Sequence, residues 1–307
     1  MKILVVGAGA TGGWFGGLPA DAGLDVTFLV RPGRAAVLRE RGLRITGLGT
    51  DLTVTPRLVT AGELTGPYGL VLFSVKSTAI GQAIEDVSPA IGPTTAIVPL
   101  LNGMAHIGEL NARFGERAVL GGVAMIVTTL NDHGDIVRLA PMANLTIGEQ
   151  GGGPSARVDE IHALLSGAGV EVHTSDDITA EMWHKWVFIT AVGALTCLMR
   201  GTVGDVTAVP GGAGLGPAIL AEAAAVAAAS GNPVPKEKIA FAEELLTRAG
   251  SPFASSMYRD VVEGRPTEVE HLFGDLLTRA RALSVATPLL DLATMHLRVH
   301  QHRTAGD

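Results

Sequence analysis

An α/β domain followed by an all-α domain is the fold class this sequence predicts, on three observations. The first 31 residues run strand, glycine-rich turn, helix, strand. Short apolar strands and helical stretches then alternate as far as residue 174. From Ser175 that alternation stops, and almost every segment has helical period. The expected domains are therefore 1–174 and 175–307. The polar stretch Thr174-Ser175-Asp176-Asp177 marks the boundary and supplies a helix cap.

The opening unit sets the function of the first domain. Lys2–Val6 is a short apolar strand, Gly7-Ala8-Gly9-Ala10-Thr11-Gly12 follows at once, a helix reaches about Ala22, and Asp25–Val30 is the second strand. Each glycine has its own job: Gly7 permits a tight turn, Gly9 bares the backbone to a pyrophosphate, and Gly12 allows close helix–strand packing. The opening amides of the helix face the phosphate charge. The alternative is an ordinary glycine-rich turn of an α/β protein; with both flanking strands in place and the motif starting at residue 7, a Rossmann-type dinucleotide-binding domain is expected. The second strand ends Val30-Arg31-Pro32-Gly33-Arg34, with no acid to accept from the ribose hydroxyls and two arginines. A guanidinium pairs with a 2′-phosphate that a carboxylate would repel. NADP is the expected cofactor, held at Arg31; the alternative is that both arginines merely cover a solvated strand end, a reading that fits Arg34 better than Arg31.

The chain has 307 residues, 47% hydrophobic and 17% charged, enough for a proper core in each of two domains. A net charge of −7 without a basic block argues against nucleic-acid binding. The single cysteine, Cys197, excludes an intramolecular disulfide framework and a cysteine-based zinc site. The histidines show no metal-ligand spacing with carboxylates, and no metal is expected. The first residues read straight into the first strand and its glycines, and no secretory leader is expected. The apolar run Trp186–Met199 is too short for an ordinary membrane span. A cytoplasmic protein with a small-molecule partner, no membrane and a possible homodimer is the expectation.

Along the first domain the pattern predicts a helix over 35–41, strands at 43–46 and 52–55 in the next crossover, a strand over 69–74, a helix over 78–87, a strand over 95–99 and a helix over 107–114. Segments 118–129, 135–139 and 144–148 read as strands of a sheet that becomes mixed, and 155–166 and 170–173 as a helix and a strand. In the second domain, helices are expected over 177–198, 214–229, 236–248, 268–283 and 289–303, with a short turn at 256–263. Thr267 with Glu270 reads as a capping box, and Thr287-Pro288 as the start of the last helix. Residues 300–307 are expected to fray.

Three polar residues sit where a ligand beyond the strand ends would meet them. Lys76 follows the strand ending at Ser74, Asn102 follows the strand ending near Pro99, and Lys185 lies in the first long helix of the second domain, with a conspicuously apolar stretch C-terminal to it. Ile189 and Gly193 fall four and eight residues after Lys185, on the same helix face. Judged singly, Lys185 could snorkel to water, Lys76 could be a solvated loop residue, Asn102-Gly103 a turn, Ser256 a helix cap and Glu268 an acid favoured by a helix field.

As a set, these pieces resemble the ketopantoate reductase family (2-dehydropantoate 2-reductases), over essentially the whole chain. They are Gly7-Ala8-Gly9-Ala10-Thr11-Gly12, Arg31, Lys76, Asn102-Gly103-Met104, Trp183-His184-Lys185, Ser255-Ser256-Met257 with Asp260, and Thr267-Glu268. The resemblance implies NADPH-dependent reduction of ketopantoate to pantoate, a step of pantothenate and coenzyme A synthesis. It implies that Arg31 holds the 2′-phosphate, that Lys76 and Asn102 lie by cofactor and substrate, that Lys185 is the general acid with Glu268 as the second catalytic residue, and that Ser256 and Glu268 bind substrate. A lysine at hydrogen-bond distance from the ketone oxygen would stabilise the charge that hydride delivers and supply the proton. Burial would lower its pKa, and a nearby Glu268 would oppose that.

One departure bears on substrate. Family members carry asparagines four and eight residues after the lysine, where this chain has Ile189 and Gly193. Losing an amide that hydrogen-bonds a substrate hydroxyl costs about 1–3 kcal/mol in a dry site. The expected substrate is ketopantoate or a related, less polar 2-keto acid, with Gly193 opening volume for a bulkier group. The alternative is a catalytically silent NADP(H)-binding sensor of the same fold.

Overall fold

The structure, a computed structural model, describes residues 1–304. The chain forms two compact units, one of Met1–Leu101 with His106–Thr179, the other of Asn102–Ala105 with the residues from Ala180 onward. The first is α/β and the second all-helical, the architecture expected.

The first unit contains β1 (Ile3–Val6), α1 (Ala10–Asp21), β2 (Val26–Leu29), α2 (Pro32–Arg41), β3 (Leu43–Gly47), β4 (Thr50–Val54), β5 (Arg57–Val59), β6 (Leu70–Phe73), α3 (Ile80–Val87), β7 (Ala96–Pro99), α4 (Ala105–Phe114), β8 (Gly121–Leu130), β9 (Ile136–Gly148), α5 (Ala156–Gly167) and β10 (Glu171–Thr174). Five strands make a wholly parallel sheet in the order β5-β2-β1-β6-β7, with Ile3 of β1 opposite Val26 of β2 and Leu70 of β6. Every residue of β1, β2, β6 and β7 is buried, which is why these strands read as unbroken apolar runs.

The remaining strands form a second sheet rather than a mixed extension of the first. Its order is β10-β9-β3-β4, with β8 antiparallel to β9. The strands expected in the next crossover are thus a hairpin, β3–β4, of that other sheet. The strand that does extend the parallel sheet beyond β2 is β5, three residues long and too short to show a period. The two strands expected over 135–148 are one, β9. Pro141 interrupts its pattern, but the ladder jumps there from Ile126↔Ala143 to Thr128↔Arg138. Pro141 lies in the bulge, so its missing N–H breaks no ladder bond.

Helix α1 packs on both sheets through its glycines. A Cβ on Gly16 would lie 2.6 Å from Val5 and 2.8 Å from Phe28; on Gly13 or Gly17 it would strike Ile136, Leu43 or Ile45. Only a helix stripped of side chains on these faces comes so close to both layers.

The second unit contains α6 (Ile178–Met199), α7 (Val203–Thr207), α8 (Gly212–Ala229), α9 (Lys236–Thr247), α10 (Ser256–Val262), α11 (Asp275–Ala282) and α12 (Pro288–Thr304), α11 being entered through a widened π-helical turn, Glu270–Gly274. Trp186, Ala191, Ala194, Leu195 and Cys197 of α6 are fully buried or nearly so, and the other helices pack around them. At 22 residues α6 is long and apolar enough to cross a membrane by length and composition, as is α8; 67% of the most apolar stretch of α6 lies inside the protein.

Several local expectations change. Segment 256–263 is a helix, and α7 was not anticipated; Thr202 and Asp205 form its capping box. The box expected at Thr267 and Glu270 does not form. Thr267 N–H donates to Gln301 Oε1 at 2.8 Å, and Glu270 pairs with Arg298 at 2.7 Å. Helix α12 stays helical through Thr304, beyond the expected onset of fraying, and residues 305–307 lie outside the described part. Its N-terminus is held from another helix: Glu222 of α8 accepts from the N–H groups of Leu289 and Leu290 at 2.9–3.1 Å. A carboxylate there satisfies orphan donors and complements the helix dipole. Glu222→Ala is therefore expected to destabilise the helical unit by about 1–2 kcal/mol in urea unfolding; an unchanged midpoint would show that the cap contributes nothing.

Candidate functional site

In the first unit the strand order turns about β1, with β2 and β5 to one side and β6 and β7 to the other. Ligands in open α/β sheets bind beyond the strand ends at such a point. A cavity of about 420 Å³ lies there, lined by Gly7, Ala8 and Gly9 after β1, Arg31 and Arg34 after β2, and Ser74 to Lys76 after β6. Ala10, Thr11 and Gly12 form the first turn of α1.

The three glycines of the loop stand in different surroundings. Gly7 has φ +94°, and a Cβ there would sit 2.5 Å from the Ser74 carbonyl oxygen. A Cβ on Gly12 would lie 2.2 Å from the Gly7 carbonyl and 2.9 Å from Ser74 Cβ. Beside Gly9 the space is open, which leaves room for a ligand to reach the backbone. Gly9 is the N-cap of α1 and has no side chain with which to cap the helix amides. A bare helix start, an exposed guanidinium at Arg31 and an exposed ammonium at Lys76 suit a dinucleotide carrying phosphates.

Arg34 departs from expectation. It does not cover a solvated strand end: it is half-buried, Nε donating to the Ala8 carbonyl at 2.9 Å and Nη1 to the Gly134 carbonyl at 2.9 Å. Nothing local in the sequence distinguishes it from Arg31, because its partners lie 26 and 100 residues away.

In the second unit three of the candidate residues, Lys185, Ile189 and Gly193, lie on α6. Loss of hydration lowers the Lys185 ammonium from its ordinary value to about 8. The neighbouring His184 is committed elsewhere, its Nδ1 lying 3.1 Å from Lys238 Nζ, which also donates to both Glu181 oxygens at 2.6 and 2.7 Å. Ile189 is half-buried against the helical core. Gly193 does not open volume as expected. Phe273, itself 1% exposed, fills the space, its ring 3.2 Å from where the Cβ would be.

Phe273 belongs to the π-helical turn, and that turn gathers several of the candidate residues. The indole N–H of Trp186, next to Lys185, donates to the Leu272 carbonyl at 2.9 Å. The Asn102 carbonyl faces His271 Nε2 at 2.8 Å, and Gly103, at φ +79°, lies against His271 and Leu272. Asn102 accordingly groups with the helical unit, not with the residues lining the dinucleotide cavity. Glu268 stands one turn earlier, its carbonyl accepting from Leu272 N–H at 3.0 Å, and its side chain is half-buried. Ser256 is exposed; Ser255 is the cap of α10, its Oγ accepting from Tyr258 N–H at 2.9 Å and meeting Thr196 Oγ1 at 3.0 Å, one turn beyond Gly193. His271, Phe273 and the π-turn were not legible beforehand. The one available signal was the buried indole of Trp186, which needs an acceptor.

Comparison with known proteins agrees with this architecture. The model of the ketopantoate reductase PanE/ApbA family matches residues 3–152, and that of the family's C-terminal part matches residues 177–301. The uncharacterized oxidoreductase YkpB of Bacillus subtilis is 35% identical over 301 residues, covering 98% of this chain and 99% of its own. The crystal structure of 2-dehydropantoate 2-reductase from Geobacter metallireducens superposes with a TM-score of 0.89 at 28% identity, covering 97% of this chain and 99% of that one. A D-mandelate dehydrogenase solved with NADH and anilino(oxo)acetate shares the fold, with a TM-score of 0.90 at 22% identity over 99% of this chain and 100% of that one. The chain belongs to the ketopantoate reductase family.

Proposed function

We propose that the protein is a cytoplasmic NADPH-dependent reductase of 2-keto acids, with Lys185 as general acid and a preference for substrates less polar than ketopantoate. The observation that carries this reading is Lys185 itself, an ammonium group drawn out of water and brought to a pKa of about 8, in a family of keto-acid reductases. NADPH, when bound, supplies the hydride. The chain supplies the rest.

Gly7 to Gly12 present the backbone and the start of α1 to the pyrophosphate, Arg31 pairs with the 2′-phosphate, and Lys76 adds charge on the far wall of the cavity. Lys185 holds a proton at Nζ for the ketone oxygen. A pKa near working pH makes it both a ready donor and a ready acceptor for the reverse reaction. Glu268, Asn102 and Ser256 are the polar groups proposed to orient the substrate. Ile189 presents a hydrocarbon surface on the lysine face, and Phe273 closes the gap left at Gly193. An apolar substituent suits such a wall, and a hydroxyl there would lose its hydrogen bonds to water.

NADPH oxidation with a panel of 2-keto acids tests the proposal. Faster turnover of keto acids with aliphatic or aryl side chains than of ketopantoate is expected. Preference for ketopantoate would overturn the apolar assignment, and cofactor binding without oxidation would mark a sensor. Lys185→Ala is expected to lower turnover at least about a hundredfold with NADPH affinity nearly unchanged. In the wild type, kcat/KM for reduction should be flat below pH 8 and fall above it as the donor deprotonates, while the reverse oxidation rises over the same range. A reduction profile flat to pH 10 would remove Lys185 as the acid. Arg31→Ala should weaken NADPH by about tenfold or more and leave NADH nearly unaffected; equal losses would refute the phosphate contact.

A further inference from the structure

We propose that Arg34 is a positioning residue for the pyrophosphate loop, a brace that fixes the Ala8–Gly9 peptide by tying it to the β8–β9 turn. The inference rests on the proposed dinucleotide site. Its grounds are geometric. Arg34 projects from α2, and its fork holds two carbonyls at once, Ala8 through Nε and Gly134 through Nη1, both at 2.9 Å. Its remaining nitrogen, Nη2, is sealed from solvent and has no hydrogen-bond partner, so it offers nothing directly to a ligand in this conformation.

A trans peptide points its C=O and N–H in opposite directions. Anchoring the Ala8 carbonyl on Arg34 therefore also sets the direction of the Gly9 N–H, in a loop where Gly9 has open space beside it and Gly7 already holds a left-handed conformation.

The far end of the brace is itself rigid. Asn131 Oδ1 accepts from the N–H groups of His133 and Asp135 at 3.0 and 2.9 Å. Gly134 N–H donates to the Asn131 carbonyl at 2.8 Å, and Arg41 pairs with Asp135 at 3.2 Å. A Cβ at Gly134 would lie 2.5 Å from Arg34 Nη1, so the turn is shaped to receive the guanidinium. Lysine could reach one of the two carbonyls but not fork between them.

Two ligands separate this role from direct phosphate binding. ADP-ribose carries the pyrophosphate without a 2′-phosphate, whereas adenosine 2′,5′-bisphosphate carries the 2′-phosphate without a pyrophosphate. By titration calorimetry on the full chain, Arg34→Met is expected to weaken NADPH, NADH and ADP-ribose alike by about tenfold or more, and adenosine 2′,5′-bisphosphate by less than about twofold. Arg34→Lys should stay impaired toward ADP-ribose although it keeps the charge. If Arg34→Met does not accumulate as folded protein, Asn131→Ala loosens the brace from the other end and should give the same ligand pattern with a smaller loss.

Equal weakening of both ligands, full recovery by Arg34→Lys, or a lowered Tm with every affinity intact would each overturn the assignment. Failure of the wild-type chain to bind NADPH or NADH would instead overturn the cofactor reading and the inference with it.

Discussion

The close approach of α1 to its surroundings is the constraint on which the first unit depends. One face of the helix meets the parallel sheet through Gly16, the other meets the second sheet through Gly13 and Gly17, and its first turn lies against the Gly7 carbonyl and Ser74 through Gly12. Glycine in a helix interior costs about 1 kcal/mol relative to alanine. Several in one helix are tolerable only because the contact they permit buries large side chains such as Phe28 and Leu43 on both sides. The same contact aims the helix start at the cavity. Packing and ligand geometry are thus set by one choice of small residues.

In the second unit the π-helical turn at Glu270–Gly274 plays the corresponding part. A widened turn leaves carbonyls without their usual partners, and the Leu272 carbonyl is satisfied by the indole of Trp186. That bond fixes the turn against α6 beside Lys185, and Phe273 seats against Gly193 one turn further along the face from Ile189. Ile189 and Gly193 are therefore not equivalent. Ile189 changes the chemistry of a half-buried surface, while Gly193 makes room for a neighbour of the protein's own.

Charge is distributed with similar economy. Lys238, Glu181 and His184 form one cluster, and Arg298 and Glu270 another. Arg279 pairs with Asp275 and stacks over Trp183 and Trp186 at 5.5 Å from each ring. At Lys185 it is burial that lowers the pKa. A lysine shifted downward by desolvation is suited to giving up a proton, whereas one shifted upward by a carboxylate would keep it.

What the sequence by itself determined was local. The glycine loop, the buried parallel strands, the change to helical period and the family motifs are written in near neighbours, and these were legible: Gly7, Gly9 and Gly12 meet the surroundings expected of them, and the two-unit architecture follows. What only the tertiary structure decided was pairing across long stretches of chain. The β3–β4 hairpin joins a second sheet, Pro141 hides in a bulge, Arg34 reaches Gly134, and Phe273 fills the space at Gly193. The physical reason is that periodicity reports which residues turn inward, but not which distant groups they meet there. An arginine in a loop or a glycine in a helix acquires its role from the atom that arrives opposite it.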